Sequence, residues 1–150
     1  MQLSDIRPYL RRAQYHETDQ MGIIHHANYI KWLEEARIDF LEQIGVSYGA
    51  LEKLGLVSPI VAVSCEYKRM VRFGESVSIA IQVKKYTGVK LVLAYTLANT
   101  ASNEVCTIAE TTSCFMNREG GIISLKKDFP AIHELFSQFA YQQKAHPAYL

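Results

Sequence analysis

The residues best suited to chemistry lie close together, in Tyr15-His16-Glu17-Thr18-Asp19-Gln20-Met21-Gly22-Ile23-Ile24-His25-His26-Ala27-Asn28. This stretch sets one carboxylate, Asp19, in a turn-like segment shortly before a helical pattern that starts near Ala27. Gly22 permits a sharp backbone turn between the two. The first N–H groups of a helix lack internal partners and sit at the positive end of its dipole. A carbonyl oxygen docked there is stabilised as it becomes an oxyanion, by about 3–4 kcal/mol per well-placed donor. A nearby carboxylate can activate water or attack the carbonyl carbon itself. Acyl transfer from a thioester suits so small a kit, because a thiolate leaves without strong acid help. An Asp ahead of a helix also serves as a cap or an Asx-turn residue, and spacing alone leaves both readings open.

His25 and His26 are adjacent, so on a helix their side chains point about 100° apart. With no second pair at ligand spacing, no metal site is expected. The positive end of a helix disfavours imidazolium, which predicts a neutral His26 able to orient water or substrate. His25 reads as a hydrogen-bonded, partly buried ring or as a second substrate contact. Asn28 either hydrogen-bonds beside an acyl carbonyl or caps the helix. Glu34 is a second acid, and i,i+3 spacing gives it Arg37 as a partner.

These groups need a frame. From Ala27 to Ile44 the pattern is helical, with Gly45 as its stop. Trp32, Ala36, Tyr29, Phe40, Leu33, Ile44, Ile30 and Leu41 share an arc of roughly 180°. A surface helix needs a stripe only a little wider than about 100°, so this one should be enveloped. Arg37 falls inside the arc and requires a partner or a route to water. A shorter helix spans Ser47 to Leu54, with Ser47 as N-cap and Gly55 as stop.

A first strand is expected over 9–17, and after Pro59 the reading is all strands: 60–73, 76–84, 89–99 and 104–117. Val77, Ile79, Ile81 and Val83 alternate with polar or small residues at a clear period of two. The connections are tight turns, so neighbouring strands run antiparallel. Strands of about twelve residues twist and curl, which predicts a curled sheet around the helix. Pro130 to Phe139 reads as a short C-terminal helix with Asp128 near its start, and the last ten residues as a tail. Val92, Ala94 and Ala98 leave strand 89–99 apolar on its second face too. With no other long helix expected, self-association would supply the cover.

The chain has 150 residues, with 16 Lys plus Arg against 15 Asp plus Glu and a net charge of +1. That balance argues against a protein that grips nucleic acid through a basic surface. It also argues against a disordered chain. No stretch approaches the roughly 20 apolar residues of a transmembrane helix, and the N-terminus shows no secretory h-region. Cys65, Cys106 and Cys114 sit in apolar runs without a C-x-x-C pair, so buried reduced thiols and a cytoplasmic location are expected.

The motif resembles the signature of the 4-hydroxybenzoyl-CoA thioesterase family of hotdog-fold proteins, including its short-chain acyl-CoA branch associated with the Tol–Pal system. The residues that carry the likeness are Asp19 and Gly22, Ile23-Ile24, His25-His26, Ala27-Asn28-Tyr29, then Glu34, Ala36 and Arg37. It spans residues 9–117, specific at the motif and generic over the strands. The resemblance implies an α+β hotdog fold, a long central helix wrapped by a curled five-stranded antiparallel sheet. Residues 1–150 would form one domain, with its core at 9–117 and a C-terminal helix and tail at 118–150.

As activity, the resemblance implies hydrolysis of an acyl-coenzyme A thioester to free acid and coenzyme A, without a metal or redox cofactor. Asp19 maps onto the family's catalytic aspartate, as nucleophile or general base. His26 maps onto its oxyanion contact, a backbone N–H at the helix start, and its ring is a further candidate. Gly22, His25 and Asn28 would border the substrate. Lys68, Arg69 and Arg72 would hold the phosphates of coenzyme A, against the alternative of solvated strand-end charge. Homodimers or homotetramers built through the sheets are implied as well.

Two alternatives stand beside this: a non-catalytic acyl-CoA-binding protein, and a thioesterase acting on acyl carrier protein. A dehydratase or hydratase is disfavoured, since no His is followed by a Gly-Pro-rich loop. Acyl-chain length and aromatic preference stay open.

Overall fold

A computed structural model describes residues 5–145. In chain order it has β1 (Tyr9–Arg12), a 3-10 turn (Tyr15–Glu17), α1 (Asn28–Gln43), α2 (Tyr48–Lys53), β2 (Leu56–Val57) and β3 (Ile60–Tyr67). There follow β4 (Ser76–Tyr86), β5 (Lys90–Asn99), β6 (Val105–Cys114), β7 (Met116–Asn117), α3 (Leu125–Asp128) and α4 (Pro130–Ala145). Five strands make one antiparallel sheet in the order β1-β4-β5-β6-β3, and β2 pairs with β7 apart from it.

The period-two pattern sets the faces. Ile79 lies opposite Leu97, Ile81 opposite Tyr95 and Val83 opposite Leu93, and all but the partly buried Ile81 lie in the core. The opposite face mixes polar and small residues with Val92 and an exposed Ile108, and Lys84 bridges Glu110 there across 2.6 Å. Against the buried face α1 turns Trp32, Leu33, Ala36 and Phe40, all in the core. Gly45, at φ +91°, ends α1 in a left-handed conformation that favours glycine. Ser47 caps α2 by accepting the Ala50 N–H, as its position suggests. Arg37, only 2% exposed, finds its partner in Glu34 at 3.0 Å and donates to the Ser58 carbonyl at 2.7 Å.

Several expectations are corrected. The C-terminal helix is not short: α4 has 16 residues, as many as α1, and takes in residues 141–145 of the expected tail. Its Phe139 meets Phe40 of α1 at 6.2 Å and Phe136 meets Phe115 at 6.0 Å, so both helices share one sheet face. Two helices therefore divide the cover that a curled sheet around a single helix was expected to provide. The sheet is open, with β1 and β3 as its edges, and is not curled as expected. Ile30, placed in the buried arc, is 45% exposed for the same reason.

Three strands are shorter than read. The run 104–117 divides into β6 and β7, and β7 pairs with β2. β1 stops at Arg12 because the Ala13 N–H goes to Glu75 and the chain then enters the 3-10 turn. β3 stops at Tyr67, where the Lys68 and Arg69 N–H groups both turn to the Cys106 carbonyl. No helix among the described residues is long and apolar enough to cross a membrane.

Candidate active site

The site begins with an acid that the sequence reading passed over. Glu17, 3% exposed, receives both ends of the Arg11 guanidinium at 3.0 Å, the Trp32 indole N–H at 2.8 Å and the Gln14 N–H at 2.8 Å. Burial works to raise its carboxyl. The donors from Trp32, Gln14 and Arg11 outweigh that and hold it below the usual carboxylate range. Its backbone carbonyl accepts the His25 N–H at 2.9 Å and the Asn28 side-chain amide at 2.8 Å. One residue thus ties β1, the motif loop and the start of α1 together.

From this anchor the chain makes a closed loop. The Asp19 N–H donates to the Ile23 carbonyl, and the Gly22 N–H donates back to the Asp19 carbonyl. Gly22 turns at φ +76°, which explains the glycine at that place. The loop is then pinned from outside, for the Ile24 N–H reaches the Val71 carbonyl and Ile23 pairs with Arg72. So residues 71–72, expected at the end of a strand, serve instead to hold the motif.

Asp19 is half-buried, and its Oδ1 accepts the Met21 N–H at 2.8 Å. The Asx-turn reading is correct for that oxygen. Oδ2 has no hydrogen-bond partner among the described residues. At the start of α1 the hydrogen bonds can be accounted for one by one. The N–H groups of Ile24, His25, Ala27 and Asn28 go to Val71, Glu17, the His25 ring and His25 respectively. That of His26 has no acceptor among the described residues. Asp19 and His26 line one cleft of about 430 Å³, walled by Met21, Ile24, Tyr29 and Met70.

This geometry stands beside clear relatives. The sequence profile of the thioesterase-like superfamily matches residues 13–141. The chain belongs to that superfamily. A relative of this thioesterase-like protein is YneP of Bacillus subtilis (strain 168), provisionally named an acyl-CoA thioesterase. The two are 32% identical over 126 residues, covering 84% of this chain and 91% of YneP. The structure of a DHNA-CoA thioesterase from Staphylococcus aureus is 31% identical, with a TM-score of 0.88 and 93% of each chain covered. The acyl-CoA thioester hydrolase YbgC of Escherichia coli O6:H1 is 27% identical over 99 residues, covering 66% of this chain and 73% of its own. The five-stranded antiparallel α+β fold is thus the hotdog fold of these thioesterases.

The other expected site residues of this thioesterase-like protein divide. Lys68 and Arg69 line the cleft, paired with Glu66 at 3.0 Å and Glu104 at 2.8 Å. Arg72, His25, Asn28 and Gly22 are not among its lining residues. Asn28 is the first residue of α1, whose N-cap is Ala27, so its side chain does not cap the helix. His25 is exposed, and its Nδ1 accepts the Ala27 N–H at 3.2 Å. Glu34 pairs with Arg37 as the spacing predicts. No three His, Cys, Asp or Glu side chains converge on a metal-sized gap among the described residues. Tyr67, which the sequence does not single out, lies in the cleft and donates its hydroxyl to the His26 carbonyl at 2.7 Å.

Proposed function

We propose that the protein hydrolyses acyl-coenzyme A thioesters, with Asp19 and the His26 N–H as its reacting pair. The reading is carried by one observation: Asp19, with one carboxylate oxygen unpartnered among the described residues, and His26, whose N–H has no acceptor there, line the same cleft. The thioester carbonyl oxygen accepts the His26 N–H. Water attacks the carbonyl carbon as Asp19 takes its proton, and the C=O electron pair moves onto oxygen. Collapse of that oxyanion breaks the C–S bond and expels the coenzyme A thiolate. The thiolate takes up the proton, and Asp19 returns to its ionised form. Attack by Asp19 itself, through an anhydride that water then opens, gives the same products.

The motif from Asp19 to Arg37 supports membership of the short-chain acyl-CoA branch of the 4-hydroxybenzoyl-CoA thioesterase family, with a reaction that needs no cofactor. Lys68 and Arg69, at the cleft, are the groups suited to coenzyme A phosphates. Arg72 would serve only through a longer reach. The free thiols of Cys65, Cys106 and Cys114 suit a cytoplasmic enzyme.

Thiol release from a panel of short, long and aromatic acyl-CoAs tests the reading. Turnover of at least one member is expected. Thioesters that bind without turnover would turn the protein into a sensor of acyl-CoA, and cleavage of acyl carrier protein alone would change the carrier.

A homodimer belongs to the same proposal. β3 is an edge strand of eight residues with Val61 and Val63 exposed, a template for a second copy of itself. Sedimentation equilibrium should report at least twice the 17.0 kDa chain mass, and a monomer at micromolar concentration would contradict it.

A further inference from the structure

The peptide group joining His26 to Ala27 is held at both ends. Its carbonyl, that of His26, accepts the Tyr67 hydroxyl at 2.7 Å. Its N–H, that of Ala27, donates to Nδ1 of the His25 ring at 3.2 Å. The neighbouring N–H of His26 is the one left without an acceptor among the described residues. The His26 N–H belongs to the preceding peptide plane, whose carbonyl, that of His25, accepts the Asn28 N–H at 3.0 Å, so with both planes tied the two torsions of His26 between them are restrained.

Tyr67 is itself well placed to hold something. It ends β3 opposite Thr107, and the next two N–H groups anchor the backbone on Cys106. Its ring packs edge-on against Tyr29 at 5.0 Å and meets His26 at 6.4 Å. Burial, then the neighbouring Cys65, pushes its hydroxyl up to about 12, so it stays a donor across the neutral range. The His25 ring is steadied by stacking on His26 at 4.3 Å.

We propose that Tyr67, with the His25 ring, is a positioning residue that clamps the 26–27 peptide and so aims the His26 N–H at the substrate carbonyl. This rests on the reading of that N–H as the oxyanion donor. It gives the edge strand a part in catalysis that its place in the sheet does not suggest. It also gives His25 a role as acceptor toward its own backbone, not as a substrate contact.

The test is Tyr67→Phe, which keeps the ring and removes only the hydroxyl. Loss of a whole oxyanion donor costs about 10²–10³ in kcat, so a donor left in place but poorly aimed should cost about tenfold. The expected result is a kcat about tenfold lower, KM within about twofold, and an unchanged melting temperature. His25→Ala should act on kcat in the same way. Since both hold one peptide, the double variant should lose less than the product of the two single effects. A wild-type kcat in Tyr67→Phe, a loss carried by KM, or fully multiplicative effects would each overturn the proposal. Asp19→Asn run in parallel separates the failures. If it collapses while Tyr67→Phe does not, only the clamp is wrong; if wild type turns nothing over, the hydrolase reading itself fails.

Discussion

Glu17→Ala should lower the unfolding free energy by about 3 kcal/mol, the scale for breaking one side of a buried ion pair. The loss comes from the groups left behind. Arg11 keeps Glu35 at 2.9 Å but loses its bidentate partner, and the Trp32 indole N–H and the Gln14 N–H lose their acceptor. Each orphaned donor in a water-poor place carries its own cost. Urea denaturation measures this, and a loss under about 1 kcal/mol would contradict the burial and bonding assigned to Glu17.

The acid behaviour follows from the sign of the shift. The folded-state value of Glu17 lies below its ordinary one. Its contribution is therefore fully present above the unfolded value of about 4.3 and is lost as pH falls through the lower folded value. Glu17→Gln should remove that part of the acid limb from a plot of stability against pH.

Asp19→Asn should lower kcat by about 10² or more, the range for losing a general base. The amide keeps an oxygen for the Met21 N–H, so the Asx turn and the closed loop survive. What disappears is basicity and the ability to attack carbon. Binding in the cleft, set by Met21, Ile24, Tyr29 and Met70, should change little. Asp19→Ala, in contrast, removes the turn acceptor too, and its losses should spread to stability.

Local pattern was legible where one residue's neighbours settle its fate. The alternation from Val77 to Val83 fixed a strand and its buried face, Ser47 marked a cap, and the i,i+3 spacing paired Arg37 with Glu34. Asp19 and His26, the two residues the motif singles out for chemistry, line one cleft. What escaped depends on distant partners. Glu17 is buried by Arg11 from β1 and Trp32 from α1, and nothing in its own neighbourhood announces that.

The strand over 60–73 was overextended because Val71 is apolar and in phase, yet its carbonyl serves the loop at Ile24. The C-terminal helix was cut at Phe139, its last large core residue, although Ala140-Tyr141-Gln142-Gln143-Lys144 contains no breaker. Helix length follows the absence of breakers as much as the apolar stripe. The packing that matters to the fold lies within 130–139, where Phe136 and Phe139 let α4 share with α1 the face that one helix was expected to fill, whereas Tyr141 beyond them is exposed.

Asp19 and the His26 N–H are proposed to break a thioester bond together. Single-turnover thiol release tests it most directly, using excess wild type or Asp19→Asn over an acyl-CoA that wild type cleaves. Both should bind the thioester with similar affinity, while the bond-breaking rate of the variant falls by about 10² or more. A variant that releases thiol as fast as wild type would contradict it.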